Sequence, residues 1–327
     1  MFKHILVPLD ESERAEQVLP VAIRLARASG GTITLLEVIP PPTEFGPYWG
    51  EPPLLVQRAI DTDLISAAGY LAQLARREIF TGVETETKTV CGPPASTICA
   101  TAEEQEIDLI VMSSHGRTGL KRWALGSVAQ KVARHSSVPV LVLREGCLEK
   151  LEPRTQAAPP LRALVALDGS QFAEAVITPA AELVAALAAP ARGALHLVRI
   201  VNVSSIHSEA DRDVREQAIQ EATIYLCTVV DEMGYGLAEK LGLEVTWSVV
   251  ASDDVADTFI DMAEHGEDTT ERCNLIALTT HGRGGLQRWM MGSIAERVLE
   301  GAHLPVLIVR PQEQQKTDLL GKEKSTL

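Results

Sequence analysis

Aromatic residues make up only 4% of this 327-residue chain, and no uncharged apolar run in it approaches the length that crosses a bilayer. A membrane span is therefore not expected. Cysteine is also scarce. Cys91, Cys99, Cys147, Cys227 and Cys273 are scattered, odd in number and never spaced C-x-x-C, which argues against a disulfide framework or a zinc site and fits reduced thiols. Positive charge is in deficit: 30 Lys and Arg stand against 44 Asp and Glu, a net charge of −14, with no compensating basic block. Such a surface repels nucleic acid and anionic lipid, so neither is an expected partner. The first residues enter a strand pattern without a charged-then-apolar leader, and a cytoplasmic location is the expectation.

What the chain does have is apolar content, 46% of its residues, rich in Ala, Leu and Val. That composition suits helices packed on a parallel sheet, and the length allows about two domains of roughly 150 residues. A repeat defines them. His4-Ile5-Leu6-Val7-Pro8-Leu9-Asp10-Glu11-Ser12 returns as Arg162-Ala163-Leu164-Val165-Ala166-Leu167-Asp168-Gly169-Ser170, an offset of 158 residues. Ser113-Ser114-His115-Gly116 returns as Thr279-Thr280-His281-Gly282, and Gly126-Ser127 as Gly292-Ser293, both at an offset of 166. The same order with a small net insertion means tandem domains, assigned to residues 1–146 and 161–311. Residues 147–160, with Pro153, Pro159 and Pro160, read as a linker, and 312–327 as a polar tail.

Within the first half, strand patterns at 3–9, 32–38, 84–90, 109–112 and 138–143 alternate with helical ones beginning near Ser12, Leu54, Pro94 and Gly126. The second half repeats strands near 163–167, 194–201, 244–250, 275–279 and 305–309. The fold class is α/β: two tandem, doubly wound, five-stranded parallel sheets. Ligands of such sheets bind beyond the strand carboxyl ends, where strand order reverses. Asp10 and the Ser113 loop both fall there. A proline-rich excursion at 40–53 is read as a stiff loop, with a lid or docking segment as alternatives.

The glycine-rich loops lead from a strand into a helix, where backbone N–H groups can approach an anion. Gly116, Gly126, Ser127 and their repeats Gly282, Gly292, Ser293 thus form a duplicated candidate phosphate cradle. The alternative is a capped helix start with a tight turn. Asp10 and Asp168 can accept hydrogen bonds from sugar hydroxyls, or serve with Ser12 as helix caps. His115 and His281 lack a visible orienting partner, so a loop-shaping hydrogen bond is expected rather than general-base catalysis. Arg117, Lys121, Arg122, Arg283 and Arg288 supply positive charge near the loops, and Trp123 and Trp289 are expected to pack.

These motifs resemble those of the universal stress protein family in its two-domain form, nearly from end to end. The family's nucleotide-binding members carry Gly, two residues, Gly, nine residues, then Gly with Ser or Thr. Here Ser113 and Thr279 take the place of the first glycine, and the rest of the pattern is kept. The resemblance implies a Rossmann-like fold akin to the adenine nucleotide alpha hydrolases, and an ATP site in each half, with Mg2+ shared through the phosphates. It places Pro8, Asp10, Val38, Met112, Ser113, Gly116, Gly126, Ser127 and Val128 at the first site. At the second it places Asp168, Ile200, Leu278, Thr279, Gly282, Gly292, Ser293 and Ile294. It further implies pairing of the last strands, here within one chain as an internal pseudo-dimer, with further homo-oligomers allowed. The implied role is a stress-response sensor or signalling protein, not an enzyme. A non-nucleotide interaction module and a slow ATPase are the alternatives. Gly92 in the first half is matched by Asp253 in the second, whose carboxylate opposes a nearby polyphosphate, so the first site is expected to bind ATP more strongly.

Overall fold

The computed structural model describes residues 1–41, 53–116, 125–204, 212–266, 272–282 and 291–311. The first half contributes strands β1 (His4–Leu9), β2 (Thr32–Ile39), β3 (Glu84–Cys91), β4 (Leu109–Ser113) and β5 (Val140–Leu143). Its helices are α1 (Glu13–Glu16), α2 (Leu19–Ser29), α3 (Pro53–Ala75), α4 (Pro94–Glu104) and α5 (Ser127–His135). The second half supplies β6 (Leu161–Ala166), β7 (Gly193–Asn202), β8 (Leu243–Ser252), β9 (Leu275–Thr279) and β10 (Val306–Val309). Its helices are α6 (Gln171–Glu174), α7 (Ile177–Ala188), α8 (Arg212–Met233), α9 (Glu239–Leu241), α10 (Val255–His265) and α11 (Ser293–Gly301).

All ten strands join one sheet in the order β3-β2-β1-β4-β5-β10-β9-β6-β7-β8. Pairing is parallel within each half and antiparallel where β5 meets β10, with Leu141 opposite Leu307. The two last strands therefore close each other's edges, as the internal pseudo-dimer requires. Central strands are covered on both faces, so Ile5, Leu6 and Val7 form an unbroken buried run. The outer strand β3 instead carries Glu84, Thr85, Glu86, Thr87 and Lys88, and a charged edge discourages further strand addition. Two apolar clusters result, one on each face of the sheet, and each runs through both halves.

One expectation needs revision. The 147–160 segment is not wholly a free connector, because Leu148–Leu151 forms a 3-10 turn and buries Cys147 and Leu151 in the core. Moreover, Gln171–Ala188 is long and apolar enough to cross a membrane by composition, with 56% of it buried. It is broken at Ala175 into α6 and α7, and α7 packs Ala180, Leu183, Val184 and Leu187 into the core. Its apolarity serves the sheet. None of the five cysteines forms a disulfide, and burial pushes the thiol pKa values of Cys99 and Cys147 up to about 11 and that of Cys273 to about 12.

Most of the excursion at 40–53, the arginines, lysine and tryptophans of the two glycine-rich loops, and the 312–327 tail lie outside the described residues.

Candidate functional site

In each half the strand order reverses between the first and fourth strands, β1 and β4 or β6 and β9. The residues following those strands meet there. Asp10 and Asp168 each fold back on the next serine but one. Asp10 Oδ1 accepts from Ser12 N at 3.2 Å and Ser12 Oγ at 2.6 Å, and Asp168 Oδ1 from Ser170 N at 2.9 Å and Ser170 Oγ at 2.6 Å. The serines, not the aspartates, cap the helices: Ser12 Oγ accepts from Ala15 N and Ser170 Oγ from Ala173 N, both at 3.2 Å. Each aspartate thus holds a cap with one oxygen.

The other oxygen explains a glycine. A β-carbon on Gly116 would stand 2.0 Å from Asp10 Oδ2, and one on Gly282 1.8 Å from Asp168 Oδ2. These glycines admit a carboxylate to the loop, which differs from their expected role as bare amides beneath a phosphate. The helix-start glycines also differ from expectation. Gly126 N donates to Ser114 O and Gly292 N to Thr280 O, both at 2.8 Å, so neither amide faces a ligand. Their close approach matters, since a β-carbon at Gly126 would meet Ser114 O at 2.8 Å.

The amides that remain belong to the next turn. Helices α5 and α11 start at Ser127 and Ser293 with no side-chain cap among the described residues, unlike α1, α6 and α10. Their first-turn N–H groups, including those of Val128 and Ile294, point out of the helix end, where the dipole is positive. Ser127 and Ser293 are exposed at this mouth, and Ile294 beside them is 45% exposed.

Ser113 and Thr279 shape the loops. Ser113 Oγ accepts from His115 N at 3.4 Å, and Thr279 Oγ1 donates to His281 O at 2.8 Å, so these hydroxyls are engaged within the chain. Neither residue takes positive φ, and replacing glycine there introduces no backbone strain. The histidines do what the sequence suggested. His115 Nδ1 lies 2.9 Å from Ser114 Oγ and His281 Nδ1 2.9 Å from Thr280 Oγ1, while both Nε2 atoms are enclosed without a partner among the described residues. Burial, then the nearby Arg310, lowers the His281 pKa and keeps the ring neutral.

The apolar residues sit lower. Met112 and Leu278 are buried in the core at the ends of β4 and β9, while Val38 and Ile200 are half-buried and pack on the same cluster. Pro8, half-buried on β1, stands beside Leu36.

The expected asymmetry does not hold as drawn. Sheet register pairs Val38 with Val90 and Ile200 with Val250, so Gly92 corresponds to Ser252 and Asp253 to Pro93. Asp253 is exposed, and its neighbour Asp254 caps α10 and pairs with Arg297 at 2.9 Å.

A different asymmetry escaped the sequence reading: Glu37 in β2 and Arg199 in β7 occupy matching buried positions. A charged residue inside an apolar strand run, in Leu35-Leu36-Glu37-Val38 and Leu197-Val198-Arg199-Ile200, was the available signal.

With this geometry in view, the chain matches the universal stress protein family over residues 1–144 and again over 161–310. The chain belongs to that family. A universal stress protein of Mycobacterium bovis is 28% identical over 235 residues, 69% of this chain and 68% of the relative. One from Methanocaldococcus jannaschii is 31% identical over 147 residues, 44% of this chain and 84% of its own. Among solved structures, a universal stress protein from Archaeoglobus fulgidus superposes with a TM-score of 0.65 at 22% identity, covering 94% of this chain and 98% of that one. This likeness establishes the fold of the tandem arrangement.

Proposed function

We propose that each half of this tandem universal stress protein binds an adenine nucleotide and that occupancy, rather than turnover, is its output. The supporting observation is the pair of helix starts at Ser127 and Ser293, free of side-chain caps among the described residues and each at a switch point where an aspartate is already oriented. In this reading the polyphosphate of ATP lies on the first-turn amides of α5 or α11, and the nucleoside lies toward Asp10 and Val38 or Asp168 and Ile200. No group of three metal-ligating side chains occurs among the described residues, so Mg2+ would be carried on the phosphate oxygens. Five cysteines held as thiols support a reducing, cytoplasmic setting.

A thermal-shift series with ATP, AMP and adenosine, with and without Mg2+, tests the reading. A rise in Tm that grows with ATP concentration is expected, because ligand stabilisation follows occupancy. No shift at millimolar nucleotide would favour the second reading, a nucleotide-free interaction module. That reading is supported by the commitment of the Gly126 and Gly292 amides within the loops.

A further inference from the structure

A closed circuit of hydrogen bonds ties the two candidate sites together. Strands are parallel within each half and antiparallel where β5 meets β10, so the sites open at opposite ends of the sheet. Helices α5 and α11 run between those ends in opposite directions. Gln130 donates to Glu300 at 3.2 Å and Arg134 to Glu296, so the first turn of each helix touches the last turn of the other.

The circuit starts at the first mouth. Gly126 N, where α5 begins, donates to Ser114 O, and Ser114 N donates to Leu143 O, both at 2.8 Å. The next residue, Arg144, crosses to the second half and donates to Leu299 O and Glu300 O at the carboxyl end of α11. The amino end of α11 is the second mouth. There Gly292 N donates to Thr280 O at 2.8 Å, and Thr280 N to Val309 O at 2.9 Å. Arg310 follows and crosses back to His135 O, the carboxyl end of α5, at 3.3 Å. It also stands close enough to the second loop for its charge, after burial, to lower the pKa of His281. The far end of each mouth-forming helix is thus held by an arginine that adjoins the loop of the opposite site.

Each of these helices has nine residues, a rod about 13 Å long whose two ends move together. An anion at its amino end and a cation at its carboxyl end both favour the same helix dipole. Ordering such a shared element for one ligand lowers the ordering cost for the next. Resting on the nucleotide reading above, we propose that the two sites are coupled: a nucleotide on one mouth fixes that helix and, through Arg144 and Arg310, the loop and helix of the other site, so the second nucleotide binds more tightly than the first.

Calorimetry on the full chain with ATP and Mg2+ tests it. Ser127→Trp closes the first mouth and Ser293→Trp the second, which gives the affinity of each site alone. Ser127→Glu and Ser293→Glu, which set a carboxylate at the same mouths, serve where the larger side chain lowers Tm. In the unsubstituted chain the product of the two stepwise association constants is expected to exceed the product of the single-site constants about fivefold. With Arg144→Met and Arg310→Met together, two nucleotides should still bind, and the ratio, taken against single-site variants in that background, should fall to unity. Arg144→Lys with Arg310→Lys should keep most of the excess. A single filled site or a ratio of unity or below in the unsubstituted chain, or an excess that survives both methionine changes, would overturn the proposal and leave nucleotide binding standing. Absence of both binding heat and a Tm shift with ATP in the unsubstituted chain, or two filled sites in a chain with one mouth closed, would overturn the nucleotide reading and this proposal with it.

Discussion

At the scale of single residues, the site rests on contacts that only small side chains allow. A methyl group on Gly116 cannot coexist with Asp10 Oδ2 in its present position, so Gly116→Ala should displace the carboxylate and release Ser12. A loss of about 1–2 kcal/mol in urea unfolding is expected, and Asp10→Ala in the same chain should recover part of it. A double-mutant cycle checks this; strict additivity would mean that the two residues do not share space. Glu11 is the converse case. Its φ of 60° lies in the left-handed region, where Gly169 at the matching position has 86°. Glu11→Gly should therefore stabilise the chain by about 1 kcal/mol, read as a higher urea midpoint.

Elements show which of their parts are structural and which are left open. Helices α1 and α6 spend Ser12 and Ser170 on capping, whereas α5 and α11 begin at glycines that supply no side chain to their amides. Strand β7 carries a pH response of its own. His196 is buried between Thr246 Oγ1 and Ser248 Oγ, each at 2.8 Å, and burial, then Arg162, lowers its pKa to about 4. Because the unfolded imidazole takes its proton near pH 6.5, the folded state loses stability as pH falls from there towards 4, and gains nothing further above it. The loss is up to roughly 3 kcal/mol. His196→Thr, which installs the residue of the matching position Thr34, should flatten the fall of Tm between pH 7 and 4.5; an unchanged slope would refute this assignment.

Over the whole molecule, the halves are joined by a reciprocal pair of arginines. Arg144 follows β5 and donates to the carbonyls of Leu299 and Glu300 at the end of α11, while Arg310 follows β10 and donates to His135 O at the end of α5. Each cation thus meets the negative end of the helix whose positive end forms the other half's mouth. Arg144→Ala and Arg310→Ala should each cost about 1–2 kcal/mol in denaturant unfolding, and the Arg144 change should cost more because it serves two carbonyls. Absent effects would show that strand pairing, the shared core and the remaining cross-half contacts such as Arg134–Glu296 hold the halves together without these arginines.

The sequence by itself determined the tandem α/β architecture, because buried parallel strands demand apolar runs and the repeated motifs set their order. The resemblance of its motifs also implied the pairing of the last strands, and the lack of a partner pattern around His115 and His281 pointed to loop hydrogen bonds such as those to Ser114 and Thr280. Which glycine serves a ligand and which a carboxylate was decided only in three dimensions, since Asp10 and Gly116 lie 106 positions apart in the chain and meet only at the switch point. The same holds for the burial of Glu37 and Arg199. Burial depends on which strands become neighbours, and local sequence does not encode that.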